Sequence, residues 1–215
     1  MERTITVKGV GKASARPDLI VIPLSLCAEA EEYDAAAALA ERQLEALRAV
    51  LAPLGFAKDD LPTVNYEVAT NYESQPDEHG IYRSHFVGYR CSHELRLEFP
   101  LDTERLSAVL AALSGCEAKP EFSVRFTVRD PDALYAELLR SAAENARGKA
   151  EALCAASGVQ LGELLHVRYS WDEVNVISSS RVMLACDAAP RAKGLDITPE
   201  DVKSSDTVTF IWAIQ

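Results

Sequence analysis

No stretch of this 215-residue chain approaches the roughly 20 consecutive apolar residues that a helix needs to cross a bilayer, so no membrane span is expected. The opening residues, Met1-Glu2-Arg3-Thr4-Ile5-Thr6-Val7, lack the apolar core and small-residue cleavage site of a secretory leader, and the expected location is the cytoplasm. Cysteine is sparse. Cys27, Cys91, Cys116, Cys154 and Cys186 are odd in number and widely spaced, which suits buried thiols in a reducing compartment better than a disulfide framework. Basic charge is scarce and scattered. With 22 Lys and Arg against 33 Asp and Glu, the formal charge of −11 repels phosphate backbones and anionic lipid, and no segregated basic patch offsets it. Nucleic acid is therefore not an expected partner. The Gly-x-Ser-x-Gly elbow, the Walker loop, the His-Glu-x-x-His helix and the dinucleotide fingerprint are all missing. Gly9-x-Gly11 follows one strand pattern and precedes another, so it does not open a helix as a phosphate cradle does. No catalytic residue, cofactor or metal site is assigned.

What is present is globular material: 48% hydrophobic and 26% charged residues, enough to bury a sizeable core. A short strand is predicted at Ile5 to Lys8, ended by the glycines, and a second at Leu19 to Ala28, where Pro23 implies an edge position or a bulge. The period then lengthens: Leu39, Ala40, Leu44, Leu47, Val50, Leu51 and Leu54 make a helical stripe over Glu32 to Leu54. Val64 to Tyr72 reads as a strand and Glu73 to Arg83 as a polar hairpin loop. From Val87 to Phe99 apolar and polar residues alternate strictly, one face core and one face wet. Asp102 caps a short helix, Phe122 to Val128 is a further strand, and Asp130-Pro131 opens the longest helix, closed by Gly158. Strands at Leu164 to Trp171 and Thr207 to Ile214 finish the chain. The predicted class is α+β, an antiparallel sheet with three helices on one face, containing the β-α-β-β-α-β order of a ferredoxin-like unit. No domain boundary is placed, and residues 1–215 are read as a single domain.

Several separated segments together resemble one family. They are Ile5-Thr6-Val7-x-Gly9-x-Gly11 with Arg16-Pro17-Asp18, Asp60-Leu61-Pro62-Thr63, Val87-Gly88-Tyr89, and Phe126-x-Val128-x-Asp130. The most specific follow: Ala142-x-x-x-Ala146-Arg147-x-Lys149-Ala150-x-x-Leu153 and Gly158-x-x-Leu161-Gly162. In order and spacing the chain is similar to the SIMPL-domain family of YggE-like bacterial proteins. The resemblance implies an α+β fold, homo-oligomerisation, frequent export to the periplasm and a loose link to oxidative-stress tolerance, and it carries no catalytic residues. The chain departs from the pattern in two places. Its opening residues do not read as the usual leader, so none is expected, and the family's Pro-Gly-Glu approach to the last strand reads Thr198-Pro199-Glu200-Asp201-Val202.

Candidate chemistry is thin. Cys91 and His93 share one strand face and form a conceivable thiolate–imidazole pair, but that face also carries Val87, Leu95, Leu97 and Phe99, and a buried Cys is most often a small hydrophobe. His79 and His85 flank the polar loop without ligand spacing. Arg147 can meet Glu151 one turn on. The small residues Ala142, Ala143, Ala146, Gly148, Ala150, Ala152, Ala155 and Ala156 let the long helix lie tight on its own sheet or, less favoured, against another subunit.

The expected function is that of a non-catalytic, self-assembling or partner-binding protein, with homo-oligomers as the first expectation. The stretch 172–205 is long for a connection, and it reads as an extended arm or a hairpin folded back on its own subunit. Val174, Val176, Ile177, Val182, Met183 and Leu184 are its interface candidates, with Arg147 and Gly148 on the helix. The alternatives are a thiol-based redox-responsive protein using Cys91, and a small-ligand binder with a cleft lined by Tyr66, Tyr72 and Tyr89.

Overall fold

The computed structural model describes residues 3–76, 82–170, 176–180 and 197–215. Along these residues run β1 (Thr4–Ala15), β2 (Leu19–Ala30), α1 (Tyr33–Leu51), β3 (Thr63–Pro76), β4 (Tyr82–Pro100), α2 (Thr103–Ser114), β5 (Glu121–Phe122), β6 (Arg125–Thr127), α3 (Pro131–Ala156), β7 (Leu161–Arg168) and β8 (Val202–Ile214). Short 3-10 turns at Ala52–Leu54 and Lys58–Asp60 separate α1 from β3. The α+β class with antiparallel pairing is as expected. The single sheet carrying all three helices is not found. The described residues form two sheets, ordered β1-β8-β7 and β3-β4-β2-β5. The chain accordingly divides into two compact units. One gathers the described residues of Met1–Asp18, Phe126–Ser180 and Pro199–Gln215, and the other those of Leu19–Arg125 and Arg181–Thr198. The first strand pairs with the last, Thr4 opposite Ala213 through Ala15 opposite Val202. Pairing between the chain ends leaves no periodic trace, so the sequence pattern did not separate the sheets.

In the first unit β1 does not stop at the glycines. It runs on to Ala15, with Val7, Gly9, Gly11 and Ala13 all facing inward. The reason is α3. Asp130 accepts from the backbone N–H groups of Asp132 and Ala133 and Pro131 occupies the first turn, so the helix starts where the sequence predicts. Every fourth residue from Leu138 through Ala142, Ala146 and Ala150 to Cys154 is buried. A side chain on Gly9 would collide with the Ala142 carbonyl, and one on Gly11 with that of Leu138, so the helix backbone rests directly on the strand. A neighbouring stripe of the helix bonds the outer edge of β1. The Lys12 N–H donates to Ser141 Oγ at 3.1 Å, the Val10 N–H to Asn145 Oδ1 at 3.0 Å, and Lys149 Nζ to the Lys8 carbonyl at 3.1 Å. Of the run of small residues, Ala142, Ala146 and Ala150 thus serve intramolecular docking, whereas Ala143, Gly148, Ala152, Ala155 and Ala156 are exposed.

In the second unit, Ile20, Ile22, Leu24, Leu26 and Ala28 of β2 pair with Phe99, Leu97, Leu95, His93 and Cys91 of β4, and these residues are all buried on one face. Ala36 and Ala40 of α1 pack on the Ala28–Cys91 end of this face. Pro23 lies within a strand paired on both sides, but its carbonyl accepts from Ser123 on the flank where β5 is only two residues long. N–H and C=O of one residue point the same way in a strand, so the missing donor faces the weakly paired side. The predicted Phe122 to Val128 strand is broken into β5 and β6. Of the predicted loop from Glu73 to Arg83, the described residues are strand, with pairing continuing to Pro76 opposite Tyr82.

The glycines can be tested against each other. Gly11→Val should destabilise by about 2 kcal/mol or more, because neither backbone can retreat. Gly148 has open space where a Cβ would project, with nothing within 4 Å, and should gain about 0.5–1 kcal/mol on substitution by Ala. Urea unfolding of both variants checks the pair.

Candidate functional site

Sheet edges end in unpaired backbone groups, and the two long edges of this protein are treated differently. That of β1 is bonded by α3. That of β3 has no neighbour among the described residues, although the strand is fourteen residues long. Arg96 donates its N–H to the Pro62 carbonyl, so it points toward the β3 side. Direction alternates along a strand, which turns Glu94, Ser92 and Arg90 the same way. Their partners Asn65, Glu67 and Ala69 therefore spend their backbone groups inward, whereas Tyr66, Val68 and Thr70 present theirs at the open edge.

The face beside this edge is aromatic. Past the start of α1, the β3–β4 hairpin continues on its own and carries a chain of edge-to-face rings. Tyr33 meets Tyr89 at 5.7 Å, Tyr89 meets Phe86 at 5.4 Å, and Phe86 meets Tyr72 at 5.7 Å. Tyr33, Tyr72 and Phe86 remain 52%, 55% and 44% exposed. The register slips between Asn71 and Tyr72, leaving Val87 as the extra residue, beside Gly88 at φ 141°. A Cβ on Gly88 would strike the Ala30 carbonyl, so this glycine lets the hairpin pass the end of β2.

Beneath the inner half of the edge lies a small polar group. His93 Nε2 is 2.8 Å from Thr63 Oγ1, and the Tyr66 ring stands edge-on to the imidazole at 5.1 Å. Burial, seconded by the Arg48 charge, holds the His93 pKa below its ordinary value. Desolvation, with a hydrogen bond to Cys91, pushes the Tyr66 hydroxyl up. Cys91 is fully buried beside Ala28, Ala36 and Ala40. The side chains of Cys91 and His93 share a face as predicted and both meet Tyr66, the thiol at its hydroxyl and the imidazole at its ring edge, while the imidazole's hydrogen bond goes to Thr63.

The remaining candidates are scattered. Val174, Val182, Met183 and Leu184 lie outside the described residues, as does His79. Val176 packs with Ala13 and Leu134 of its own unit, Ile177 bridges to Thr127, and the Ser178 N–H donates to Phe126 at 2.8 Å. Residues 202–205 belong to β8. Where described, the supposed arm thus folds back on its own subunit. Arg147 makes the expected exposed pair with Glu151 at 2.9 Å, and the Cβ direction of Gly148 is open space. Tyr66, Tyr72 and Tyr89 share the hairpin but do not face one another: Tyr66 sits on His93, and the other two flank Phe86. His85 lies opposite Glu73 on the hairpin. Among the described residues no three His, Cys, Asp or Glu side chains cluster as metal ligands, and no helix is long and apolar enough to cross a membrane. The open edge and Phe86 escaped the sequence reading, and the signal that could have found them was the β pattern continuing through Tyr82, Ser84 and Phe86 into the predicted loop.

The SIMPL family, described as a protein of unknown function (DUF541), matches this chain over residues 5–212. The chain belongs to the SIMPL family. No curated protein matches it. Two of the segments that carry the family resemblance, Ile5 to Gly11 and Ala142 to Leu153, are the strand and helix that meet through Gly9, Gly11 and the alanine stripe.

His93 provides a pH test. Its folded pKa lies below the ordinary 6.5, so the unfolded chain binds the proton more readily. The stability that neutral His93 contributes is complete above 6.5, falls as the pH drops through that value, and levels off below the lowered folded pKa. Urea midpoints measured between neutral pH and about pH 5 should fall more steeply for the wild type than for His93→Gln. Parallel curves would contradict the assignment.

Proposed function

We propose that this SIMPL protein acts through polypeptide contact rather than catalysis, using the β3 edge and the aromatic face of the β3–β4 hairpin, with a second copy of the chain as its first partner. The observation that supports this reading most is the edge itself. A fourteen-residue strand offers free backbone groups beside exposed Tyr66 and Tyr72, while the β1 edge is closed by side chains of α3. Edge pairing adds main-chain hydrogen bonds for affinity and alternating side chains for register. Two β3 strands meeting antiparallel would form an isologous contact with twofold symmetry, the commonest arrangement of homo-oligomers. Exposed rings contribute rigid apolar area at low entropic cost and are enriched in interface cores.

The backbone direction supplies a selective test. Proline at position 70 removes an outward N–H without breaking a ladder bond to β4, whereas at position 69 it would break one. Light scattering on the full chain should give at least twice the 23.5 kDa monomer mass at micromolar concentration. Thr70→Pro should weaken association at least tenfold, and Thr70→Val should preserve it. A wild type that stays monomeric throughout sinks self-association. An oligomer indifferent to Thr70→Pro and to Tyr72→Ser/Phe86→Ser moves the contact elsewhere.

A further inference from the structure

In the β3-bearing unit, the last turns of α1 and the two 3-10 turns that follow enclose a groove of about 310 Å³. Its walls include Leu51, Phe56 and Leu61, which are buried core residues, and its polar groups are Arg48, Lys58 and Glu45. Two features set it apart from a surface crease. The Arg48 Nε is buried and has no hydrogen-bond partner among the described residues. Neither Arg48 nor Lys58 takes part in the ion pairs Glu29–Arg90, Arg96–Glu98, Glu137–Arg140 and Arg147–Glu151. A buried guanidinium donor is costly to leave unsatisfied, and the great majority in native proteins are paired. The side chain that carries this donor lines a space large enough for a ligand.

The chemistry narrows the ligand. A guanidinium offers parallel donors that match a planar carboxylate, and Lys58 adds a mobile ammonium from the other wall. Glu45 and the negative C-terminal end of α1 both oppose accumulated negative charge, so the site suits one anionic charge rather than a polyanion. The leucine and phenylalanine walls call for an apolar body. The volume sits at the small end of ligand pockets. We propose that this groove binds a small monocarboxylate with an apolar body, its carboxylate on Arg48 and Lys58 and its hydrocarbon part against Leu51, Phe56 and Leu61. The site does not depend on the β3 edge contact.

Calorimetric titration of the full chain with phenylacetate and with octanoate tests the proposal, using phenylethanol and octanol as uncharged counterparts and inorganic phosphate as an anion without an apolar body. The expected result is one saturable site for a carboxylate, with at least tenfold weaker binding of its alcohol and of phosphate. Arg48→Gln should weaken the carboxylate at least tenfold. Lys58 is exposed, so Lys58→Gln gives an independent reading should the Arg48 variant fold poorly, with a loss of severalfold or more. Absence of saturable binding, equal binding of acid and alcohol, phosphate binding as tightly as carboxylate, or undiminished affinity in Lys58→Gln would each overturn it.

Discussion

The docking of α3 onto β1 depends on a distance that only glycine permits. With the carbonyls of Leu138 and Ala142 resting where side chains of residues 11 and 9 would project, no compromise of rotamer is available, because backbone meets backbone on both sides. Everything else in that unit follows. The helix must present alanine along its contact stripe, and with so little side-chain volume between them the apolar bulk has to come from Val7, Val208, Phe210 and Trp212 around it. The close approach also brings Ser141, Asn145 and Lys149 within reach of the strand's outer backbone groups. A bulkier spacing would have left those groups facing water. One steric fact therefore produces both the packing and the closure of the edge.

In the other unit, no helix side chain bonds the β3 edge among the described residues of that unit. Its helix α1 sits over the interior of the face, on Ala28 and Cys91, and its first residue is Tyr33, so the outer half of the hairpin has no cover among the described residues. Charges and bulges are the usual restraints on unwanted pairing; β3 carries Glu67 and Glu73, and its pairing with β4 slips twice, at Val64 of β3 and at Val87 of β4. They limit which partner can add to the strand. They do not close it, since the backbone groups of Tyr66, Val68 and Thr70 stay in one line.

Much of the local structure was legible because it rests on nearest-neighbour physics. Asp102 and Asp130 are caps by virtue of a short acceptor next to free N–H groups, and the alternation from Cys91 to Phe99 marks a strand with one wet face. Gly9 and Gly11 were legible as glycines but misread as a stop, because their cause lies about 130 residues away in α3. The separation into two sheets was hidden for the same reason, as β1 and β8 come from opposite ends of the chain. At the candidate site, Tyr66, Tyr72 and Tyr89 were visible in the sequence as a group, yet the row that Tyr33, Tyr89, Phe86 and Tyr72 form depends on a bulge and on where α1 begins.

The thiols show why residue identity alone said little about redox chemistry. A reactive cysteine needs access and a stabilised thiolate together. Cys91, Cys116 and Cys154 are buried, so an oxidant or substrate does not reach them in the folded chain. Cys27 is the exposed thiol among the described residues, on the wet face opposite Ser92. Its pKa is raised, first by desolvation and then by Glu29, with Arg90 opposing. That arginine is committed to Glu29 at 2.6 Å, which spends on a carboxylate the positive charge that would otherwise favour a thiolate. Access thus comes without acidity at Cys27, and burial removes access at the other three, so a thiol switch finds no support among the described cysteines.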